Sequence, residues 1–172
     1  MIRPQYGKAV NTIGDVSGMS VQVGDKAPHF KLVNQSKEMV ELTDFSGSPT
    51  LVVFIPFPFT GVCEGELCML RDSRSDFSEL DASVVVITCD TRPANAKWAA
   101  DNGFTYPILS DFWPHGETAR AYGCFNESIG VADRTTYVLD GDSVVTAVIS
   151  SDQFGVAREH DAYVDALAAI GS

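Results

Sequence analysis

No uninterrupted apolar stretch in this chain approaches the roughly 18–20 residues that cross a bilayer. The opening Met1-Ile2-Arg3-Pro4-Gln5-Tyr6-Gly7-Lys8 leads into no hydrophobic region of the secretory type. A soluble, cytoplasmic protein without a membrane partner is therefore expected. Positive charge is scarce as well. There are 12 Lys and Arg against 23 Asp and Glu, a net charge of −11, which argues against nucleic acid, since that ligand is held by neutralising its phosphates. Cysteine is sparse, with four in the chain (Cys63, Cys68, Cys89 and Cys124), too few and too scattered for a disulfide framework. Cys63 and Cys68 have four residues between them, but Cys89 and Cys124 are scattered and supply no second Cys-x₂₋₄-Cys pair, so a structural zinc site is not expected. His29, His115 and His160 lie apart and read as structural or solvated, so neither a metal nor an organic cofactor is expected. Internal repeats and low-complexity tracts are lacking.

What is present is enough for one core. With 172 residues, 45% of them hydrophobic, the chain suits a single domain and is short for two. Residues 1–20 are polar and Gly-rich without periodicity and read as a loosely ordered extension; residues 21–172 form the domain. Residues 51–55 and 84–88 are short, continuous, β-branched runs, the pattern of strands buried on both faces. Residues 30–33, 136–139 and 144–149 supply further strands, with Asp140-Gly141-Asp142 as a hairpin turn between the last two. Helices are expected over 62–80, 93–101, 117–122 and 161–170, with Pro93 suited to a first turn and Gly103 to a helix end. This order of elements predicts an α/β thioredoxin-like sandwich with a central mixed β-sheet flanked by helices.

Chemistry concentrates at Cys63, in the run Ile55-Pro56-Phe57-Pro58-Phe59-Thr60-Gly61-Val62-Cys63-Glu64-Gly65-Glu66-Leu67-Cys68. A buried strand, a Pro/Gly turn and then an amphipathic segment place this sulfur in the first turn of a helix. Unpaired backbone N–H groups and the positive dipole end favour a thiolate there, and a thiolate is a nucleophile.

The pattern Pro-x-x-x-Thr-x-x-Cys at Pro56, Thr60 and Cys63 resembles the active-site motif of the peroxiredoxins. Other segments resemble that family in the same order: Val23-Gly24-Asp25-Lys26-Ala27-Pro28-His29-Phe30, then Leu109-Ser110-Asp111-Phe112-Trp113-Pro114, then Ala132-Asp133-Arg134-Thr135-Thr136-Tyr137-Val138-Leu139-Asp140. The similarity runs from about Val21 to Asp140. Phe59-Thr60-Gly61-Val62-Cys63 and Asp111-Phe112-Trp113-Pro114-His115-Gly116 are most similar to the alkyl hydroperoxide reductase E branch. The resemblance implies a thiol peroxidase in which Cys63 becomes a sulfenic acid as it reduces hydrogen peroxide or an organic hydroperoxide. It implies that Arg134 supplies a guanidinium beside the sulfur and that Thr60 hydrogen-bonds the peroxide. The backbone N–H groups of Val62 and Cys63 would donate to the transition state, Pro56 would shield the sulfur, and Glu66 would orient the arginine.

Regeneration is open to more than one reading. Cys68 departs from the single-cysteine pattern of that branch and is similar to the resolving cysteine of the peroxiredoxin Q branch. Five residues along a helix give about 7.5 Å of rise and about 140° of rotation, so the Cα atoms stand roughly 8–9 Å apart, whereas a disulfide needs about 7 Å or less. Resolution by Cys68 therefore requires this helix to unwind locally, and Gly65 lowers the cost by about 1 kcal/mol relative to Ala. The alternatives are a one-cysteine peroxidase resolved by an external thiol, with Cys68 packed in the core, and a peroxide sensor that relays oxidation to a partner. A thiol-disulfide reductase fits less well, because its Cys-x-x-Cys is missing. The expected reductant is a thioredoxin- or glutaredoxin-like protein. A homodimer or higher homo-oligomer is implied, with Phe112, Trp113, Tyr122 and Phe125 as candidate contacts. Cys89 and Cys124 read as packed thiols, with an intersubunit bridge as the other possibility.

Overall fold

The computed structural model describes residues 20–151 and 153–170; the expected extension, apart from Ser20, lies outside them. In chain order the strands are β1 (Lys31–Asn34), β2 (Met39–Glu41), β3 (Thr50–Phe54), β4 (Ser83–Thr88), β5 (Ile108–Ser110), β6 (Phe125–Asn126), β7 (Val131–Ala132), β8 (Thr135–Leu139) and β9 (Val145–Ser150). The helices are α1 (Gly61–Asp72), α2 (Arg74–Glu79), α3 (Arg92–Asn102), α4 (Glu117–Tyr122) and α5 (His160–Ala168), and a 3₁₀ turn covers Leu42–Phe45. Seven strands form one mixed sheet in the order β2-β1-β5-β4-β3-β8-β9, while β6 and β7 make a separate hairpin. β3 runs parallel to β4 and β4 parallel to β5. β8 is antiparallel to both β3 and β9.

The unbroken apolar runs are largely buried as expected: β3 throughout and β4 from Val85 onward, with Val84 half-buried; β8 is buried throughout as well. Alternate side chains of β3 serve opposite faces. Val52 and Phe54 pack with Phe30, Leu42, Ile87, Tyr122 and Tyr137. Leu51, Val53 and Ile55 pack on the other side with Cys63, Leu67, Trp98, Val138 and Tyr163. α1, α3 and α5 thus share one face of the sheet, and α4 lies on the other. Gly103 closes α3 in the left-handed conformation, φ 66°, where glycine carries no Cβ penalty.

The structure revises several sequence expectations. The helix read over 62–80 is two helices, α1 and α2, separated at Ser73, whose N–H donates to the Met69 carbonyl at 2.8 Å. Asp72 and Ser73 are short polar residues that compete with the helical ladder, and the break lets Phe77 enter the core. No strand is expected over 108–110, yet β5 forms there and pairs with β4 and β1. After it, buried Asp111 accepts the N–H groups of Thr118 and Ala119 at 3.0 and 2.9 Å and so starts α4. Tyr122, offered as a contact residue, is fully buried and packs at a steep angle against Phe54 and edge-on to Tyr137, leaving Phe112 and Trp113 as the exposed members of that set. Phe125 is half-buried under the Arg120 guanidinium.

Leu67 joins α1 to the sheet with no exposed surface. Leu67→Ala is expected to lower stability by about 2–5 kcal/mol, read as a lower urea midpoint with an unchanged slope.

Candidate active site

β3 ends at Phe54, and the chain turns through buried Pro56 and the 57–60 loop into α1. Thr60 is the N-cap residue, with φ −101° and ψ 145°, so Cys63 is the third residue of the helix. The first helical bond runs from the Glu64 N–H to the Thr60 carbonyl at 2.9 Å. The amides of Val62 and Cys63 precede it and belong to the set a helix leaves without an intrahelical acceptor. Cys63 is fully buried.

Sheet register brings the arginine there. Val53 stands opposite Thr136 in the antiparallel β3/β8 pair, so two residues further out Arg134 faces the end of β3 where the chain turns toward Cys63. Its Nη2 donates to Cys63 Sγ at 3.2 Å and to the Phe154 carbonyl at 2.7 Å. Its Nη1 donates to Glu66 Oε2. Its Nε is buried without a partner among the described residues, a donor left for an oxygen ligand.

Glu66 lies between two guanidiniums. Sequence reasoning missed Arg158, which approaches from the loop before α5. Its backbone N–H and Nε donate to Glu66 Oε1 at 2.7 and 3.0 Å, and its Nη1 donates to the Phe54 carbonyl at 3.2 Å and to Thr136 Oγ1 at 3.0 Å. Glu66, Arg134 and Arg158 are each at most 4% exposed. Two buried cations and one buried carboxylate leave one positive charge over, beside the Cys63 sulfur.

Thr60 Oγ1 donates to the Phe57 carbonyl at 2.7 Å, so the hydroxyl proton is committed and its oxygen can act only as an acceptor toward a ligand. Phe57 and Phe154 pack with ring centroids 5.6 Å apart, and Phe59 leans on Trp98 at 6.0 Å. Phe57 and Trp98 belong to the apolar cluster that includes Cys63.

The AhpC/TSA family profile matches residues 23–148. The alkyl hydroperoxide reductase E of Mycobacterium bovis is 41% identical over 151 residues, spanning 87% of this chain and 98% of the relative. The chain belongs to the AhpC/TSA family, the peroxiredoxins. A thiol peroxidase of Streptococcus parasanguinis is 30% identical over 156 residues, covering 90% of this chain and 93% of its own. The crystal structure of the peroxidoxin BcpB from Mycobacterium tuberculosis matches with a TM-score of 0.78 at 32% identity, over 88% of this chain and 99% of that one. This peroxiredoxin is accordingly a thiol-dependent peroxidase with the expected thioredoxin-like fold.

The other thiols differ from Cys63. Cys68 is half-buried on the same continuous helix and is a free thiol, as are the other three. Cys89 is buried, and burial, aided by the Asp111 carboxylate, pushes its thiol up to about 12. Burial raises the Cys124 thiol as well. Both are buried, packed thiols, which works against an intersubunit bridge. Among the histidines, His115 Nε2 lies 2.7 Å from the Gly130 carbonyl, His29 is 3.8 Å from Glu41 and His160 is 3.5 Å from Asp161. Among the described residues no group of three or more His, Cys, Asp or Glu is placed to hold a metal ion.

Glu66→Ala leaves two buried guanidiniums facing each other and is expected to cost about 3–5 kcal/mol. Arg158→Met, which leaves Glu66 paired with Arg134, is expected to cost less, and paired urea titrations check that order. Arg134→Met is expected to lower the second-order rate constant for peroxide by about 10²–10³-fold, the scale of losing a transition-state donor, measured by stopped flow.

Proposed function

We propose that Cys63 is the peroxidatic residue and that Cys68 resolves it. The observation that carries the first half is the Arg134 donor 3.2 Å from a sulfur in the first turn of α1. The Cys63 thiolate attacks one peroxide oxygen, an S–O bond forms as the O–O bond breaks, and the departing alkoxide or hydroxide takes a proton to leave as alcohol or water. Arg134 and the Val62 and Cys63 amides stabilise the charge that moves onto the oxygens, Thr60 accepts the peroxide O–H, Pro56 covers the sulfur and Glu66 orients Arg134. The thiolate of Cys68 then attacks the sulfenic sulfur, forming the disulfide and expelling hydroxide, which is protonated to water. A thioredoxin- or glutaredoxin-like dithiol returns both sulfurs to the reduced state by exchange.

The place of Gly65 between the two cysteines, with open space where a Cβ would sit, supports resolution by Cys68, because α1 must unwind for the sulfurs to meet. We read the protein as a cytoplasmic antioxidant enzyme acting as a homodimer or larger assembly. In keeping with that, no helix among the described residues is long and apolar enough to cross a membrane, and Phe112 and Trp113 are 47% and 82% exposed.

Peroxide turnover with a thioredoxin system separates the readings. Cys63→Ser is expected to abolish activity and Cys68→Ser to reduce it at least tenfold, with a Cys63–Cys68 linkage in the wild-type mass spectrum after one equivalent of peroxide. Full turnover in Cys68→Ser, or a persistent sulfenic acid in wild type, assigns resolution to an external thiol.

A further inference from the structure

We propose that Trp98 and Asn102 of α3 are positioning residues that latch the reactive turn through Glu64 and Phe59, and that release of this latch admits the resolving thiol. Trp98 is fully buried, and its indole N–H donates to Glu64 Oε2 at 3.4 Å. Asn102 Nδ2 donates to the same oxygen at 3.3 Å and to the Trp98 carbonyl at 3.1 Å. The other face of the latch is Phe59, whose ring centroid lies 6.0 Å from that of Trp98. Phe59 has φ 64°, a left-handed conformation that is strained for a bulky side chain, and it is 52% exposed. Contact with Trp98 is what holds it there. One residue of α3 therefore grips the chain four residues before Cys63 and one residue after it.

The grip matters most after oxidation. While the sulfur is an anion, Arg134 holds it by charge; as a sulfenic acid it is neutral, and that attraction largely disappears. One turn on, the hold does not weaken. Glu66 stays paired with Arg134 and Arg158, and Tyr106 Oη donates to the Leu67 carbonyl at 2.7 Å. Unwinding is thereby confined to the turn before Glu66, with Gly65 as its hinge, and the Glu64 latch is the polar restraint on it from α3, added to the core packing of Cys63. Both bonds to Glu64 are long for N–H···O contacts, which suits a restraint that opens in every cycle. The argument rests on the sulfenic acid cycle proposed above and not on which thiol resolves it, because a fully buried sulfur must be uncovered for any thiol.

The test follows the two half-reactions separately in Glu64→Ala, with Asn102→Ala as the second variant and circular dichroism as the check that each folds. The expected result is a split of opposite sign. Oxidation by hydrogen peroxide slows and disulfide formation accelerates, each by about fivefold, the size of one net hydrogen bond. Glu64→Gln, which keeps an acceptor oxygen, stays close to wild type. In a Cys68→Ser background the capture of the sulfenic acid by 2-nitro-5-thiobenzoate accelerates in the same way. Absence of a Cys63–Cys68 linkage in every variant, with thiol capture still accelerated, supports the latch while removing Cys68 from the cycle. In Trp113→Phe, which leaves Trp98 as the one indole, one equivalent of peroxide is expected to shift the emission. Both half-reactions slowed together, neither changed, or Trp98 emission constant through the cycle would each overturn the proposal.

Discussion

The fold's catalytic end is organised around a buried carboxylate. Glu66 sits one turn after Cys63 and takes hydrogen bonds from two guanidiniums that arrive from distant parts of the chain, 68 and 92 residues away. An isolated charge in such a place is very costly, so these partners are conditions of folding this helix against this sheet. The cluster also fixes what the sulfur sees. Arg134 is held by Glu66 on one nitrogen and by Phe154 and Cys63 on the other, so its donors are aimed before a substrate arrives. Preorganisation of that kind lets a fixed dipole stabilise moving charge without reorganising during the reaction.

The same helix must also come apart in part if an internal thiol is to resolve the cycle, and the contacts divide along it accordingly. From Glu66 onward α1 is tied by ion pairs, by the Tyr106 hydroxyl and by Leu67 and Leu70 in the core. Before Glu66 the ties are a sulfur–guanidinium contact that depends on redox state, an aromatic contact and two long hydrogen bonds. Local stability in proteins is uneven, and segments that move are drawn from its low end. Here the boundary between the two regimes falls at Gly65, between the two cysteines.

Much of this was legible in the sequence because it rests on local pattern. The β-branched runs gave β3 and β4 to within a residue or so, and α4 was read at its observed bounds. The spacing of Pro56, Thr60 and Cys63 marked the turn whose cysteine the structure sets beside Arg134. Elements that escaped notice had no local period to show: β2 and β5 have three residues each, and β6 and β7 have two each. Arg158 was illegible for a related reason. It lies in irregular chain, far from Glu66 in sequence, and its role exists only once β8, β9 and the following loop bring it back over α1. A conditional signal was available, since a Glu destined for a buried helical face must find cationic partners, and the arginines of this chain are few. The Glu64 contacts were hidden in the same way, because a half-exposed glutamate in a first helical turn reads as a dipole-compensating charge.

Burial of Cys63 then ties access to conformational change. A peroxide is small and needs only an opening beside Thr60, Phe59 and Phe154, residues that are themselves exposed. A resolving thiol is carried on a peptide and needs the turn displaced. In the cycle proposed above, two states of one short segment serve two reactions, the closed one aligned for O–O cleavage and the opened one for S–S formation. Strengthening the closed state speeds the first reaction at the expense of the second, and the sulfenic acid then lives longer beside excess peroxide, where further oxidation competes. Weakening it does the reverse. The modest strength of the contacts before Glu66, set against the strength of those after it, is what a cycle requiring both states demands.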